Sequence, residues 1–352
     1  MNTVTADISV TDLKQKRDAY MAENPKARAR NVAADLGMSE AQLVALDMGE
    51  GTTRLGTDWV AMLKEIETMG EVMALTRNEA CVHEKHGVYR NFEQEGESPV
   101  VLFVDEKIDL RIFLMSWAFG FAVETPMGTQ TRYSLQFFNR AGEAVHKIYM
   151  TKESNLEAYH AFVEKFKAPE QEALLEVSTG GGRPKSPEKP DSEVDTDAFL
   201  SRWRGLQDTH EFFGFIREAG VTRTQALRLA ESEFTRPAGK DTARKMLEMA
   251  AETETPIMCF VGNPGCIQIH SGPVKKLLEQ GPWFNVMDPD FNLHLNEEHI
   301  DKTWWVRKPS VDGDVNSLEV FDKNGELIVQ FFGKRKPGIP ELESWRGIVA
   351  AL

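Results

Sequence analysis

Two stretches decide the fold: YSLQFFNRAGEAVHKIY, residues Tyr133–Tyr149, and NSLEVFDKNGELIVQFF, residues Asn316–Phe332. Each places apolar, aromatic and β-branched residues on both sides of a turn, Asn139-Arg-Ala-Gly142 or Asp322-Lys-Asn-Gly325. In such turns Asn or Asp can bond its own backbone and Gly can take a positive φ, so each stretch predicts a β-hairpin. The hairpins are 183 positions apart, and the same offset aligns residues far outside them. Asp105, Leu110, Val123 and Pro126 fall on Asp288, Leu293, Val306 and Pro309; Gly37, Ser39, Gln42 and Leu46 fall on Gly220, Thr222, Gln225 and Leu229. An offset that stays constant over such a length is an internal duplication. In both copies a helix is expected to end at a glycine suited to the left-handed C-cap, Gly37 or Gly220. Two residues on, Ser39-x-x-Gln42 and Thr222-x-x-Gln225 are capping boxes that open another helix. Helices followed by antiparallel strands, twice over, give an α+β fold with an internal duplication. Residues 178–196, rich in Gly, Pro, Ser and charge, read as a linker between an N-terminal repeat, 1–177, and a C-terminal repeat, 197–352.

Composition excludes several classes. With 41 Lys plus Arg against 55 Asp plus Glu, the 352-residue chain carries a formal charge of -14, which gives no bulk attraction to nucleic acid or anionic lipid. Three cysteines, Cys81, Cys259 and Cys266, form no CxxC pair and cannot all pair with one another. That argues for a reduced, cytoplasmic setting and against a disulfide framework or structural zinc. The N-terminus lacks an apolar signal core, and apolar runs such as Ser116–Val123 fall well short of a membrane span.

The duplication is most informative where it fails. His210, in the segment Trp203-Arg-Gly-Leu-Gln-Asp208-Thr-His210-Glu-Phe-Phe213-Gly214, has Ala27 as its counterpart. It stands at the start of a predicted helix with Asp208 or Thr209 as N-cap, and Phe213 and Gly214 share its face. An imidazole beside an aromatic wall and a missing side chain suits a flat, apolar, metal-centred ligand; the spacing alone fits a surface helix histidine better. Arg111, in Ile108-Asp-Leu-Arg111-Ile-Phe113, has His294 as its counterpart. On a strand it shares a face with Asp109 and Phe113, where it can either serve a pocket or simply pair with Asp109. His83, His86, His146, His160 and His299 lack metal-site spacing and read as solvated or packed, and His270, His294 and Cys266 read as structural.

The chain resembles, along essentially its whole length, the cytoplasmic haemin-handling proteins of bacterial haem uptake, of the HemS, ChuS and PhuS type. The resemblance is densest in Leu206-Gln-Asp-Thr-His210-Glu-Phe-Phe, Asn263-Pro-Gly-Cys266-Ile-Gln-Ile-His270-Ser-Gly272, Phe291-Asn-Leu-His294-Leu, Trp305-Val-Arg-Lys308-Pro and Phe331-Phe-Gly-Lys-Arg335-Lys-Pro. It implies two similar halves, each a large antiparallel β-sheet with flanking helices, with a haem cleft between them. It further implies haem b as the bound group, His210 as the iron's axial ligand and Arg111 as the distal residue. Arg223, Lys308 and Arg335 match positive positions about the propionates and the distal face, with Gln330 and Phe332 nearby. Two departures stand out. All five tyrosines lie in the first half, so Phe332 replaces the pocket tyrosine of some members, and Glu211 follows His210 where some members have further histidines.

The function so implied is that of a cytoplasmic protein that sequesters incoming haem and delivers it for iron release. An inner-membrane importer would lie upstream, and a haem oxygenase or reductase would be the partner. The alternative is an enzyme that itself opens the macrocycle, with Arg111 the candidate distal catalytic group. A third reading, a DNA-binding regulator, rests on the helix-turn-helix look of Asn31–Leu43 after Lys26, Arg28 and Arg30. The same turn recurs at Gly220–Gln225, which assigns it to the duplicated scaffold and makes nucleic acid an improbable partner.

Overall fold

The computed structural model describes residues 9–178, 188–336 and 338–352. Ten α-helices are found among them: α1 (Val10–Glu23), α2 (Ala29–Asp35), α3 (Glu40–Ala45), α4 (Trp59–Glu65), α5 (Leu156–Phe166), α6 (Thr196–Arg204), α7 (Glu211–Glu218), α8 (Arg223–Leu229), α9 (Thr242–Glu252) and α10 (Glu343–Ala351). The first nine strands are β1 (Thr52–Leu55), β2 (Gly70–Arg77), β3 (Cys81–Gly87), β4 (Phe92–Glu93), β5 (Val100–Val104), β6 (Asp109–Phe113), β7 (Phe119–Met127), β8 (Gln130–Phe138) and β9 (Ala144–Ser154). The second nine are β10 (Thr235–Ala238), β11 (Ile257–Asn263), β12 (Cys266–Gly272), β13 (Leu277–Gln280), β14 (Trp283–Met287), β15 (Phe291–Asn296), β16 (Lys302–Lys308), β17 (Val315–Phe321) and β18 (Leu327–Gly333). They belong to two antiparallel nine-stranded sheets.

The chain forms two compact units. The first takes the chain up to Thr76, the stretch from His86 into the linker, and Asn263–Cys266; the second takes Arg77–Lys85, the stretch from the linker to Gly262, and Ile267–Leu352. The first carries the strand run β1-β7-β8-β9-β2 and the second β10-β16-β17-β18-β11. Their registers obey the sequence offset. Thr52 faces Val123 as Thr235 faces Val306, and Ser134 faces Tyr149 as Ser317 faces Phe332. Even the irregularity repeats, between Phe137 and Phe138 and between Val320 and Phe321.

The hairpin turns form as the local chemistry requires. Asn139 Oδ1 accepts from the amides of Ala141 and Glu143 at 2.9 and 3.0 Å, and Asp322 Oδ1 accepts from those of Asn324 and Glu326 at 2.8 Å each. Gly142 and Gly325 sit at φ of 77° and 72°, where a side chain would be strained. In the first unit the turn also docks helix α3: the Ala41 amide donates to Gly142 O at 3.0 Å.

The two capping boxes differ. Ser39 and Gln42 bond each other reciprocally. Thr222 accepts from the Gln225 amide, but the Gln225 side chain donates instead to Lys189 O and Asp191 Oδ1, at 2.7 and 2.8 Å. The second box is therefore half-formed, because the segment entering α6 competes for that amide. Of the segment expected to be a linker, residues 179–187 lie outside the described residues. Within the rest, Glu188 and Asp191 hold Arg228 of α8 at 2.6 and 2.7 Å.

Each unit buries its own core. In the first, Met62, Ile66 and Phe162 pack on Leu135, Phe137 and Ile148. In the second, Met246, Leu247 and Trp345 pack on Leu318, Val329 and Phe331, and a further cluster joins Trp203, Phe212, Phe215, Phe234 and Phe321 beneath α6, α7 and α8. Helix α3, the would-be recognition helix, buries Glu40, Ala41, Leu43 and Ala45 in its own unit. No described helix is long and apolar enough to cross a membrane.

Candidate functional site

Helix α7 is amphipathic: Phe212, Phe215 and Ile216 point into the core below and leave the opposite side to solvent. His210 is its N-cap residue, rather than Asp208 or Thr209, because Asp208 turns its carboxylate back on the histidine. Asp208 Oδ1 accepts from the His210 backbone amide at 2.8 Å and from ring Nδ1 at 2.6 Å. The carboxyl is held below its usual range, first by that amide and then by the ring. One oxygen thus fixes both the backbone and the tautomer. Nδ1 donates to the carboxylate, Nε2 has no partner among the described residues, and the side chain is 91% exposed.

Exposed apolar side chains come from α7 and from two segments bonded to the turn before it or to each other. Phe213 follows on α7 and is 66% exposed; Val311 is 75% exposed and Ile339 53%. They are fastened together. The Val311 amide donates to Gln207 O at 2.9 Å, and the Gly338 amide to Asp312 Oδ2 at 2.9 Å. Arg335 also reaches Asp312 Oδ2 at 3.5 Å, and its charge is felt at Asp208. Large apolar side chains left exposed on α7 and on the segments tied to the turn before it suit a surface that a ligand covers.

Below it is a charge cluster that sequence reasoning did not find. Glu319, on β17 and fully buried, accepts two bonds from Arg223, at 2.7 and 2.8 Å, one from Lys308 at 2.8 Å, one from Gln330 at 3.0 Å and one from Ser317 at 3.3 Å. Burial by itself raises this carboxyl, yet the charges and hydrogen bonds of Arg223 and Lys308 outweigh it and hold the group well below the usual carboxylate range. Burial also lowers Lys308, and Glu319 only partly offsets that. The ammonium lies 4.5 Å from the Phe212 ring centre and 5.9 Å from that of Phe332; Arg223 lies 5.5 Å from Phe212. Phe332 itself packs edge-on against Phe260 at 5.1 Å. Four of the expected residues, Arg223, Lys308, Gln330 and Phe332, are therefore gathered about Glu319, with Phe212 linking them to the helix of His210. Two positive charges against one negative leave the cluster with a net charge of +1.

The duplication could have exposed Glu319, since its counterpart is the neutral Gln136. In the first unit the equivalents of Arg223 and Gln330 are Glu40 and Lys147, which also form a buried ion pair. The same joint between helix and sheet is closed in both units with the charges interchanged. Glu40 sits favourably at the start of its helix, whereas Arg223 opposes the dipole of α8 and relies on Glu319.

In the first unit, Arg111 alternates on β6 as expected, with Leu110 and Ile112 buried and Asp109 and Phe113 on its own face. Its guanidinium bonds the Asp109 carboxylate and donates to Leu110 O at 3.1 Å. Its counterpart His294 is held through Nδ1 by Asn285 Oδ1 at 2.7 Å. His270 is buried and stacked on Phe291 with ring centres 3.8 Å apart, and all three cysteines are buried and free.

The sequence matches the model of the haemin-degrading HemS.ChuX domain twice, over residues 37–166 and 220–352. It is 36% identical to the hemin transport protein HmuS of Yersinia pestis over 331 residues, 94% of each chain. The structure superposes on that of holo-PhuS, a heme-binding protein from Pseudomonas aeruginosa, with TM-score 0.95 and 43% identity over 98% of this chain and 99% of that one. On the heme-degrading enzyme ChuS of Escherichia coli O157:H7 the TM-score is 0.88, at 31% identity over 98% and 99% of the two chains. A duplicated α+β fold, one helix-borne histidine absent from the other repeat, and two family matches in register with that duplication lead to one assignment: the chain belongs to the haemin-degrading HemS.ChuX-domain family.

Proposed function

We propose that this protein binds haem as cargo and delivers it for iron release in a bacterial haem-uptake route. The observation that carries the reading is His210: exposed, bonded by Asp208 through Nδ1 and without a partner at Nε2 among the described residues, on a helix whose Phe213 is also exposed for a flat macrocycle to cover. Nε2 would ligate the iron, and Asp208 would keep the other nitrogen's proton and raise the ring's basicity. Phe213, Val311 and Ile339 would take the macrocycle's faces and edges. Arg223, Arg335 and the net positive charge around Lys308 would answer the propionates of haem b, with Gln330 and Phe332 beside them. Arg111 as the distal residue rests on the family resemblance, and its planar guanidinium can offer several donors to a bound group. The division of labour, with the iron ligand on residues 197–352 and the distal group on 1–177 across the linker 178–196, rests on Ala27 standing where the second repeat has His210. A cytoplasmic location, an inner-membrane importer upstream and a haem oxygenase or reductase partner complete the reading.

The test is titration of the purified protein with haemin. One equivalent should give a sharp Soret band, and His210→Ala should lose the axial-histidine spectrum and much of the affinity. An unchanged spectrum and affinity in that variant would remove His210 from the iron.

A second reading, degradation of the bound haem, is favoured by the ChuS likeness and by Arg111, a polar group suited to the distal side. Haem-loaded protein is given a reductase and electrons with catalase present. Conversion to a bilin-type product that slows in Arg111→Ala would mean an enzyme; a Soret band that stays until an authentic haem oxygenase is added would mean a carrier.

A further inference from the structure

The first unit holds a buried hydrogen-bonded chain that the haem-binding reading does not use. Tyr89 Oη lies 2.6 Å from His146 Nε2, and His146 Nδ1 lies 2.9 Å from Thr76 Oγ1. Thr76 Oγ1 donates to Cys266 Sγ at 3.4 Å. All four side chains are buried: Tyr89 and His146 are each 1% exposed, Thr76 and Cys266 0%. The Tyr89 phenol has no other acceptor among the described residues, so the arrangement that satisfies it has the phenol donating to the ring, with Cys266 Sγ also 3.8 Å from His146 Nδ1. With the Thr76 hydrogen on sulfur, Nδ1 donates to Thr76 and Nε2 is the acceptor. The chain therefore runs in one direction, from phenol through imidazole and hydroxyl to thiol.

Rings lead to it from the surface. Half-buried Trp59 has its ring centre 5.9 Å from that of Trp117, Trp117 is 6.4 Å from His146, and His146 is 6.1 Å from Tyr89. Trp117 is fixed by its indole N–H, which donates to Gly265 O at 3.0 Å. The other tyrosines lack this setting. Tyr20 bonds the Asp35 carboxylate in an exposed position, Tyr159 bonds the carbonyl of Ser134 at 3.5 Å, and Tyr133 and Tyr149 have no hydroxyl partner among the described residues.

We propose that Tyr89 and His146 are a proton-coupled redox pair, fed through Trp117 and Trp59, which makes Tyr89 the place where a one-electron oxidation of the protein comes to rest. The balance is complete. A one-electron oxidant of high potential takes one electron from the phenol. The Tyr89 O–H bond breaks and an N–H bond forms on His146 Nε2, giving a neutral tyrosyl radical and an imidazolium that keeps its Nδ1–H on Thr76. Return of one electron from a reductant sends the proton back to the phenol oxygen. Burial keeps the imidazole neutral, its pKa pushed down to about 3, and keeps the phenol protonated, so the acceptor is vacant at working pH. An oxidised phenol is a far stronger acid than imidazolium even here, which sets the direction of transfer.

The chemistry belongs to the chain itself, so the test begins without haem. The ligand-free protein is flash-oxidised with photogenerated ruthenium(III) tris-bipyridine and persulfate, frozen, and read by electron paramagnetic resonance. The expected result is a tyrosyl radical with one strongly coupled exchangeable proton, the imidazole N–H, that disappears in Tyr89→Phe. The triple variant Tyr20→Phe, Tyr133→Phe, Tyr149→Phe spares the core and must keep the signal; this arm decides even if Tyr89→Phe fails to fold. Tyr159 cannot imitate the result, because a carbonyl partner brings no exchangeable proton. A signal that survives in folded Tyr89→Phe, vanishes in the triple variant or lacks the coupled proton overturns the proposal. Because no haem is present, that failure is distinct from failure of the haem-binding reading, which the Soret titration alone decides.

Discussion

At the scale of single residues, what sets His210 apart from an ordinary surface histidine is its bond to Asp208. A solvated imidazole samples two tautomers and several rotamers, while one locked through Nδ1 at 2.6 Å presents a single nitrogen in a single direction. Asp208→Ala should therefore leave the fold intact and weaken haem binding by about 10- to 100-fold. It should also lower the iron–histidine stretching frequency of the ferrous complex in resonance Raman spectra; an unchanged frequency would mean that Asp208 does not act on the ligand. Asp208 stands two residues before His210, so it was visible in the sequence as a neighbour. That it spends its carboxylate on the ring rather than on capping a helix is set by the φ and ψ of His210, -69° and -25°, which no spacing rule supplies.

At the scale of elements, the paired hairpins provide an internal control. Gly142 and Gly325 share the left-handed backbone, so replacing either by alanine costs about 1 kcal/mol in backbone strain. They differ in what a Cβ would meet. At Gly142 it would come 2.2 Å from Ser39 Oγ, the cap of α3, whereas at Gly325 the nearest atom is Thr224 Oγ1 at 3.3 Å. Gly142→Ala must push the capped helix off its hairpin and should lose about 2 kcal/mol or more, as overpacking does, while Gly325→Ala should lose little beyond the backbone term. Urea unfolding of the two variants checks this, and equal losses would refute the docking argument. The turns were legible in the sequence because Asn or Asp followed by Gly is a local instruction. The contact between turn and cap was not, because it joins residues about a hundred positions apart.

At the scale of the whole molecule, buried histidines make stability depend on pH. His146 and His270 are pushed down to about 3, chiefly by burial, and His83, buried with no side-chain hydrogen-bond partner for either ring nitrogen among the described residues, is lowered by burial and by the nearby charges of His270 and Lys85. Each folded value lies below the ordinary value of about 6.5 that applies in the unfolded chain. Above about 6.5 both states are neutral and the stabilisation is complete. As pH falls below that, the unfolded chain takes up protons that the folded chain refuses, and stability drops by about 1.4 kcal/mol per pH unit per histidine. Urea midpoints should accordingly fall steeply from pH 6.5 toward pH 4 (roughly the window between the unfolded and folded values) and be flat above it. His146→Gln should remove about one proton from that slope; an unaltered slope would show that His146 titrates normally. Glu319 adds to the loss at still lower pH, since its folded carboxyl is depressed and its stabilisation disappears only as pH falls through that value.

The sequence by itself determined the α+β class, the duplication with its offset, the hairpin turns, the uniqueness of His210 and the family. All of these are written in local chemistry or in the comparison of one half with the other: turn residues act over four positions, and a repeat carries its own alignment. Tertiary structure alone decided which charges meet. Arg223 and Glu319 are 96 positions apart and Glu319 and Gln330 are 11, yet one buried carboxylate organises all of them together with Lys308. The Tyr89, His146, Thr76 and Cys266 chain gathers its members from four separate strands and loops. A buried polar group must find its partners wherever the packed chain brings them, because burial without them is costly, and that search is conducted in space rather than along the sequence.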